Sequence, residues 1–444
     1  MSARAVIIAD LGFGDAGKGQ LTHHLTRIEG AHLVVRYSGG AQCGHNVVTE
    51  DGRHHAFAQV GAGSFVPGVA THLSRFVVLH PGALAVEAAV LADKGVPGVL
   101  ERLTVDPRAV VTTPFHQAAG RLRELARGAG RHGSCGVGVG ETRQDEEEGQ
   151  ESLRAEDLVG DGLEARLLAI QERKRAALAP LREAATSDAA GPEWRILDEP
   201  QVARRWIEQL RPLALQLVED EARLSEALAR GPVVFEGAQG VLLDERLGFH
   251  PYTTWTCTTF ANAQALLRGL GAEVVRVGVL RAYQVRHGPG PLPTEVAGGL
   301  GLPEPHNPTG PWQGSFRAGW LDLVLTRYAL AAAGGVDHLA LTHLDRVGAL
   351  AAPQVCVGYR IDPRDADVLG LGPLDALPLA ADPSLAHQAR LGEALGRVAP
   401  ILAPLGPDIP GRLAEALGAP VTHRGTGPSA VTVCLPGPYG PPPR

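Results

Sequence analysis

A glycine-rich segment near the N-terminus has the residue types and spacing of a phosphate-binding loop. Gly12, Gly17 and Lys18 fit the pattern G-x-x-x-x-G-K, directly after the apolar run Ala5–Ala9 and before a helical pattern, Gln20–Ile28. Glycines let backbone N–H groups approach a phosphate, a helix N-terminus favours negative charge, and a lysine neutralises more of it. The pattern therefore predicts a nucleotide phosphate site; the alternative is a glycine turn that binds nothing.

The position after the lysine departs from that pattern. A Walker A loop carries Ser or Thr there to bind Mg²⁺, whereas this chain has Gly19. The metal then needs another ligand, and Mg²⁺ prefers oxygen ligands such as carboxylates. Asp15, inside the loop, is the nearest candidate.

Short β-branched runs recur along the chain, and segments with helical spacing lie between many of them. The runs are Ala5–Ala9, His32–Arg36, Arg75–Leu79, Ala109–Thr112, Pro232–Phe235, Val274–Val279, His338–Leu341, Val355–Tyr359 and Ala430–Cys434. Strands that alternate with helices predict an α/β fold, with a mainly parallel twisted sheet and helices on both faces.

One stretch interrupts the alternation. From about residue 145 to 230 the chain is rich in Ala, Leu, Glu and Arg, which predicts two or three amphipathic helices inserted on the sheet. The acidic run Asp145–Glu148 at its start is interpreted as a solvated loop. We expect a single domain over residues 1–436, followed by a loosely packed Pro/Gly-rich tail, Gly437–Arg444.

Composition excludes several classes of protein. Apolar residues make up 44% and charged residues 20%, which is typical of a soluble globular chain. The net charge of −7 and the lack of a basic block argue against a nucleic-acid partner, and no apolar run of about 18 residues predicts a membrane span. Five cysteines without a C-x-x-C pair indicate neither a disulfide framework nor a zinc site, so we expect a cytoplasmic protein.

The loop Gly14-Asp15-x-Gly17-Lys18-Gly19 resembles the signature G-D-E-G-K-G-K of the adenylosuccinate synthetases. Other blocks resemble that family's motifs in the same order, among them F-E-G-A-Q-G and G-W-L-D. They are Val34–Gly40, Gly44–Asn46, Phe235–Asp244, Pro251–Thr259, Gly288–Glu295, Gly319–Asp322, Leu341–Asp345 and Thr426–Pro428. The chain is identified as a divergent member of that family, and the resemblance implies a homodimer.

The resemblance also implies a reaction in purine nucleotide biosynthesis. The family joins the amino group of aspartate to carbon 6 of IMP, with GTP as co-substrate and Mg²⁺ as cofactor. A carbonyl oxygen is a poor leaving group, so it is first phosphorylated and then displaced by the amine. For this chain the resemblance leaves open GTP or ATP, and IMP or a related purine nucleotide.

Residue roles follow from the same resemblance. Asp15 would be the general base that removes the proton from purine N1, and His45 the general acid at the transferring phosphoryl group. Lys18 would contact the phosphates, and Gln239 would hydrogen-bond the 6-oxo group. Asp15 and the backbone carbonyl of Gly44 would hold Mg²⁺.

The wider binding set is also carried over from the family. The residues expected to bind the triphosphate are Gly14, Asp15, Ala16, Gly17, Lys18, Gly19, Gln20, Gly44, His45, Asn46, His343, Asp345, Gly425, Thr426 and Gly427. Those expected to bind the acceptor and the amine are Gln42, Ser134, Cys135, Gln239, Thr254 and Arg317.

One family motif is changed in a way that concerns the amine. The family's loop T-T-G-R-R-R-R-T-G-W binds the aspartate carboxylates. Aligned on Gly319-Trp320, its two key arginines fall on Gly314 and Phe316; aligned instead on Thr309-Gly310, the first falls on Pro311. Only Arg317 remains. A dicarboxylate favours bidentate guanidinium donors. A paralogue that uses another amine or acceptor is therefore an alternative. A nucleotide-binding regulatory protein without turnover is a second, and a kinase or GTPase switch a third.

Overall fold

The computed structural model describes residues 3–304, 307, 309–370, 374–381, 383–429 and 431–433. Its strands are β1 (Arg4–Asp10), β2 (Leu33–Arg36), β3 (His45–Val48), β4 (His54–Phe57), β5 (Ala70–Leu73), β6 (Val78–Leu79), β7 (Leu103–Val105), β8 (Val110–Val111), β9 (Gln216–Leu217), β10 (Val233–Glu236), β11 (Glu273–Arg281), β12 (Gln284–His287), β13 (Phe316–Gly319), β14 (Leu321–Asp322), β15 (His338–Thr342), β16 (Gln354–Arg360), β17 (Ala399–Pro404), β18 (Val421–Gly425) and β19 (Val431–Val433).

The α-helices lie between these strands. They are α1 (Lys18–Ile28), α2 (Pro81–Asp93), α3 (Pro114–Arg127), α4 (Val139–Glu147), α5 (Leu163–Leu178), α6 (Ala190–Asp198), α7 (Gln201–Leu210), α8 (Asp220–Arg230), α9 (Ala261–Leu267), α10 (Leu323–Ala332), α11 (Leu344–Gly348), α12 (Ala366–Leu369), α13 (Leu385–Leu395) and α14 (Ile409–Leu417).

A ten-stranded sheet organises the molecule, in the order β19-β18-β15-β11-β1-β10-β2-β5-β7-β9. Every neighbouring pair is parallel except β18 and β19. The central strand β1 is buried on both faces: Ile7 belongs to one apolar cluster and Ile8 to another. Such double burial explains the continuous apolar run. The expected α/β fold with a mainly parallel sheet is confirmed.

Some strand predictions were wrong in detail. In the run Arg75–Leu79 the first residues form a turn, closed by Val77 N–H to Ser74 C=O at 3.0 Å, and only Val78–Leu79 is a strand, β6, which pairs with β8 outside the large sheet. The large sheet instead uses β5, whose sequence A-T-H-L is too polar to stand out. The run Val355–Tyr359 is a strand, but it lies in a separate three-stranded sheet, β14-β16-β17.

The helix-rich stretch contains α5 to α8, and it also supplies β9, which pairs with β7 at the sheet edge. The solvated-loop prediction for Asp145–Glu148 was wrong, because Asp145 lies in α4 and is 5% exposed. Its carboxylate contacts Lys174 Nζ at 2.7 Å and His116 Nε2 at 3.2 Å. Burial opposes ionisation, but these two contacts outweigh it and hold the pKa of Asp145 below its ordinary value.

No helix in the described part of the chain is both long and apolar enough to cross a membrane. The predicted tail, Gly437–Arg444, lies outside the described residues, as does Cys434.

The buried lysine of this ion cluster gives a prediction about stability. Lys174 Nζ contacts carboxylate oxygens of Glu141 at 2.9 Å and Asp145 at 2.7 Å. We expect Lys174→Met to destabilise the protein by about 3 kcal/mol, because it leaves two carboxylates in a site of low dielectric. Urea or thermal unfolding measures the loss.

An exposed ion pair provides the matched control. Arg204 and Glu164 are 70% and 45% exposed in their side chains, so Arg204→Met should cost about 1 kcal/mol or less. Equal unfolding midpoints for the two variants would contradict the role given to Lys174.

Candidate active site

The glycine-rich loop connects β1 to α1 and is braced by the last residue of β1. Asp10 Oδ1 accepts the Gly12 N–H at 2.8 Å, and Asp10 Oδ2 accepts the Ala16 N–H at 3.0 Å and Lys18 Nζ at 2.9 Å. Asp10 and Lys18 are 1% and 4% exposed. A single buried carboxylate thus fixes both the curve of the loop and the position of its lysine.

Steric crowding explains why Gly19 stands where a Walker A loop has serine or threonine. A β-carbon on Gly19 would lie 2.7 Å from the carbonyl carbon of His45 and 2.9 Å from the carbonyl oxygen of Asn46. Both are backbone atoms of β3 and cannot move aside like the end of a side chain. Strand β3 therefore lies against the first turn of α1 so closely that neither serine nor threonine fits at position 19.

Three non-glycine residues in the described part of the chain have a positive φ. They are Asp15 at 57°, Gln239 at 49° and His343 at 59°. A left-handed backbone costs about 1–3 kcal/mol outside glycine and concentrates at functional sites. All three residues line one cleft, so the strained positions and the sequence-predicted site coincide.

That cleft has a volume of about 740 Å³ and lies at the carboxyl ends of the central strands. The predicted site residues that line it are Gly14, Asp15, Gly17, Lys18, Gly19, Gln20, Gln42, Gly44, His45, Asn46, Gln239, His343, Asp345, Gly425 and Gly427. Ala16 is 2% exposed behind the loop. Ala16, Ser134, Cys135, Thr254, Arg317 and Thr426 are not among the lining residues.

His45 forms a buried pair with a glutamate from another strand. His45 Nδ1 lies 2.6 Å from Glu236 Oε1, and Glu236 Oε2 accepts the Ala62 N–H at 3.0 Å. Burial alone would raise the pKa of Glu236, but Arg36 and His45 hold it below its ordinary value.

The histidine of this pair is neutral in the free protein. Burial lowers the pKa of His45 to about 4, although the Glu236 carboxylate opposes the shift. Nδ1–H therefore donates to the carboxylate. Nε2 is buried without a hydrogen-bond partner and is left for a ligand.

Buried side-chain amides beside this pair also lack partners. Gln239 Oε1 has none, and neither does the Oε1 or the Nε2 of Gln42. Gln239 Nε2 contacts Cys43 Sγ at 3.4 Å. Buried polar atoms are nearly always hydrogen-bonded in proteins. These amides are consequently suited to a polar ligand such as the edge of a nucleobase.

The part of the cleft next to Gly17 of the loop is built at the carboxyl end of β15. His343 precedes α11, and its Nδ1 lies 2.9 Å from Thr342 Oγ1, which in turn donates to the Ala16 carbonyl at 2.8 Å. Burial lowers the pKa of His343 well below its ordinary value. Asp345, two residues on, lines the cleft, and its Oδ2 lies 3.6 Å from Arg346 Nε. A carboxylate at this position can accept hydrogen bonds from a base.

The predicted acceptor-site serine and cysteine lie in the loop before α4. Ser134 Oγ accepts the Gly136 N–H at 3.1 Å, and Glu124 Oε2 accepts the Gly133 N–H at 3.1 Å. Burial raises the pKa of the Cys135 thiol to about 11, so it stays protonated. For Thr254, the backbone N–H donates to the Leu243 carbonyl at 2.8 Å.

Arg317, the remaining cation of the amine loop, is committed to neighbouring protein groups. Its Nε donates to the Gly288 carbonyl at 3.0 Å, and its other nitrogens contact Gly290 C=O at 2.7 Å and Glu295 Oε2 at 2.6 Å. Gly314 has a φ of 90°, so an arginine at that position would be strained. The Arg317 guanidinium is therefore already bonded to protein groups of the segment between β12 and β13.

Three polar residues that the sequence did not single out line the cleft: Arg281, His287 and Glu304. Arg281 donates to the Asp15 carbonyl at 2.9 Å and also contacts Glu304. His287 Nε2 lies 3.4 Å from Asp15 Oδ2. For Arg281 and His287, the feature that could have drawn attention to them is their position as the last residues of the strands β11 and β12.

The residues present fit a magnesium ion that is shared with a bound triphosphate. In the described part of the chain no three His, Cys, Asp or Glu side chains are grouped to hold a metal on their own. The Asp15 side chain is 33% exposed, and Asp15 and Gly44 both line the cleft. Mg²⁺ typically takes one or two protein carboxylates together with substrate phosphates.

The sequence of this chain matches those of a known protein family. The model of the adenylosuccinate synthetase family matches residues 7–374. The adenylosuccinate synthetase of Desulforudis audaxviator is 35% identical over 369 residues, and that of Rhodococcus jostii is 33% identical over 367 residues; each match covers 81% of both chains.

Solved structures share the fold. A fully ligated adenylosuccinate synthetase from Plasmodium falciparum superposes with a TM-score of 0.74 at 20% identity, covering 97% of this chain and 99% of that one. The succinoaminodeoxyadenylate synthetase of cyanophage S-2L gives a TM-score of 0.56 at 20% identity, with 98% and 96% covered. By its sequence match and its architecture, this chain belongs to the adenylosuccinate synthetase family.

Proposed function

We propose that the protein is an adenylosuccinate synthetase-type ligase of purine nucleotide biosynthesis. It transfers the γ-phosphoryl group of GTP to the 6-oxo group of IMP, or of a related purine nucleotide, and an amine then displaces the phosphate. Aspartate is the family's amine. The observation that carries the proposal is a single cleft that joins the braced phosphate loop, Asp15, and the His45–Glu236 pair.

In the first step Asp15 takes the proton from purine N1, and the electrons shift to O6. O6 then forms a bond to the γ-phosphorus as the bond to the β-phosphate oxygen breaks. In the second step the amine nitrogen bonds to carbon 6, the phosphate leaves with the C–O electrons, and the nitrogen gives up one proton to the departing phosphate. Lys18 and the loop N–H groups hold the phosphates. His45 takes up a proton as the negative phosphates enter the cleft, so that Nδ1–H donates to Glu236 and Nε2–H donates to the transferring group.

Asp15 and the Gly44 carbonyl would hold Mg²⁺, which neutralises charge on the phosphates when bound. Asp345 would accept hydrogen bonds from N1 and N2 of guanine, which favours GTP over ATP. Gln239 and Gln42 would bind the acceptor. We further propose that Ser134, Cys135, Thr254 and Arg317 contribute to binding the acceptor and the amine, in a cytoplasmic homodimer.

Phosphate release tests this function. The purified protein is incubated with Mg²⁺, GTP and IMP, with and without aspartate, and then with a panel of other amines, while product formation is followed by mass spectrometry. We expect release that depends on IMP and on an amine. Calorimetry that detects no binding of any magnesium-bound triphosphate would refute the proposal.

Replacing the base isolates its role. Asp15→Asn should lower kcat by about 10²–10⁴-fold, because an amide cannot take the N1 proton. The affinity for GTP without metal should change little, since the backbone and Lys18 supply those contacts. Asp51→Asn, an exposed site in the turn between β3 and β4, is the control. Full activity of Asp15→Asn would exclude the base assignment.

The histidine pair makes a second prediction. Glu236→Gln keeps the size of the side chain but removes the charge that fixes the Nδ1–H tautomer of His45. We expect kcat to fall about 100-fold or more, with KM for GTP within about threefold, because the pair acts on the transferring group. Steady-state kinetics and circular dichroism measure both effects. An unchanged kcat in a folded variant would show that His45 does not need this partner.

A further inference from the structure

The carboxylate proposed as the general base has few partners. This residue, Asp15, has a backbone φ of 57°, and its main-chain carbonyl accepts a hydrogen bond from Arg281 at 2.9 Å. Lys18, three residues on, is bonded to Asp10 and not to Asp15. Among the described residues, the polar side chain within ion-pair distance of the Asp15 carboxylate is His287, with Nε2 3.4 Å from Oδ2.

His287 is itself held in place. It ends β12 and pairs in register with Phe316 of β13, and its ring meets the Phe316 ring edge-on with centroids 4.9 Å apart. Its Nδ1 is buried without a hydrogen-bond partner, so the polar contact of the ring is through Nε2. A ring fixed by strand pairing and aromatic packing can fix a neighbouring carboxylate in turn.

The geometry points to a positioning role for His287 in the proposed reaction. We propose that His287 donates from Nε2 to Asp15 Oδ2 and so directs Oδ1 at the purine proton. This inference rests on the proposed function, since it concerns how the base is oriented. A reacting group, its general base and a further residue that orients the base form an arrangement that is common in active sites.

Two substitutions separate positioning from packing. His287→Gln places an amide N–H close to the position of Nε2 but loses the ring, whereas His287→Phe keeps the ring and loses the donor. If His287 positions Asp15, the Gln variant should keep kcat within about fivefold of wild type. The Phe variant should lose about 100-fold in kcat, with KM for GTP and IMP nearly unchanged, because a base misplaced by about 1 Å costs that much.

A packing role gives the opposite order. Phe would then match or exceed Gln in kcat, and that result would overturn the proposal. His387→Phe, in α13 and away from the cleft, controls for a general effect of the substitution and should leave kcat unchanged.

A structural readout keeps this inference separate from the proposed function. Crystals of wild type and His287→Phe with Mg²⁺ and a non-hydrolysable GTP analogue should show the Asp15 carboxylate rotated in the variant. If wild type shows no turnover, the proposed function fails, whereas an identical Asp15 conformation in both crystals overturns the role of His287.

Discussion

The buried carboxylate of Asp10 is the interaction on which the site depends. It ends the central strand and accepts from two loop N–H groups and from Lys18 at 2.8–3.0 Å. Without it, a buried ammonium and two backbone donors would lack partners, at a cost of several kcal/mol. The same contacts lead the chain from β1 into the left-handed turn at Asp15. The shape of the loop and the place of the lysine therefore have one origin.

Strand order explains why the other groups meet this loop. β10 and β11 flank β1 in parallel, so their carboxyl ends lie at the same edge of the sheet. β10 ends in Glu236, β11 ends in Arg281, and β15 leads into His343 beyond it. Ligands of parallel α/β sheets bind at this edge. The cleft is thus a consequence of the topology, and the loops supply its chemistry.

The parts of this architecture that sequence could predict are the local ones. The glycine loop, its strand and its helix follow from residues adjacent in the chain, and the fold class follows from the alternation of elements. The pairing of His45 with Glu236 spans 191 positions and depends on which strands become neighbours. His287 was missed for the same reason: nothing beside it in the chain marks it as a neighbour of Asp15. Arg317 is the opposite case. The family motif identifies it in the sequence, but the sequence does not show that its side-chain nitrogens are already hydrogen-bonded to protein groups.

The closeness of Gly19 to β3 has an evolutionary consequence. A β-carbon at that position would push on the backbone of the very residue that pairs with Glu236. A mutation that introduced the hydroxyl found in other nucleotide-binding loops would therefore damage the existing phosphate chemistry before it offered a new way to hold the metal. A lineage that has adopted one of these two designs would have to pass through a disturbed β3 to reach the other by single steps.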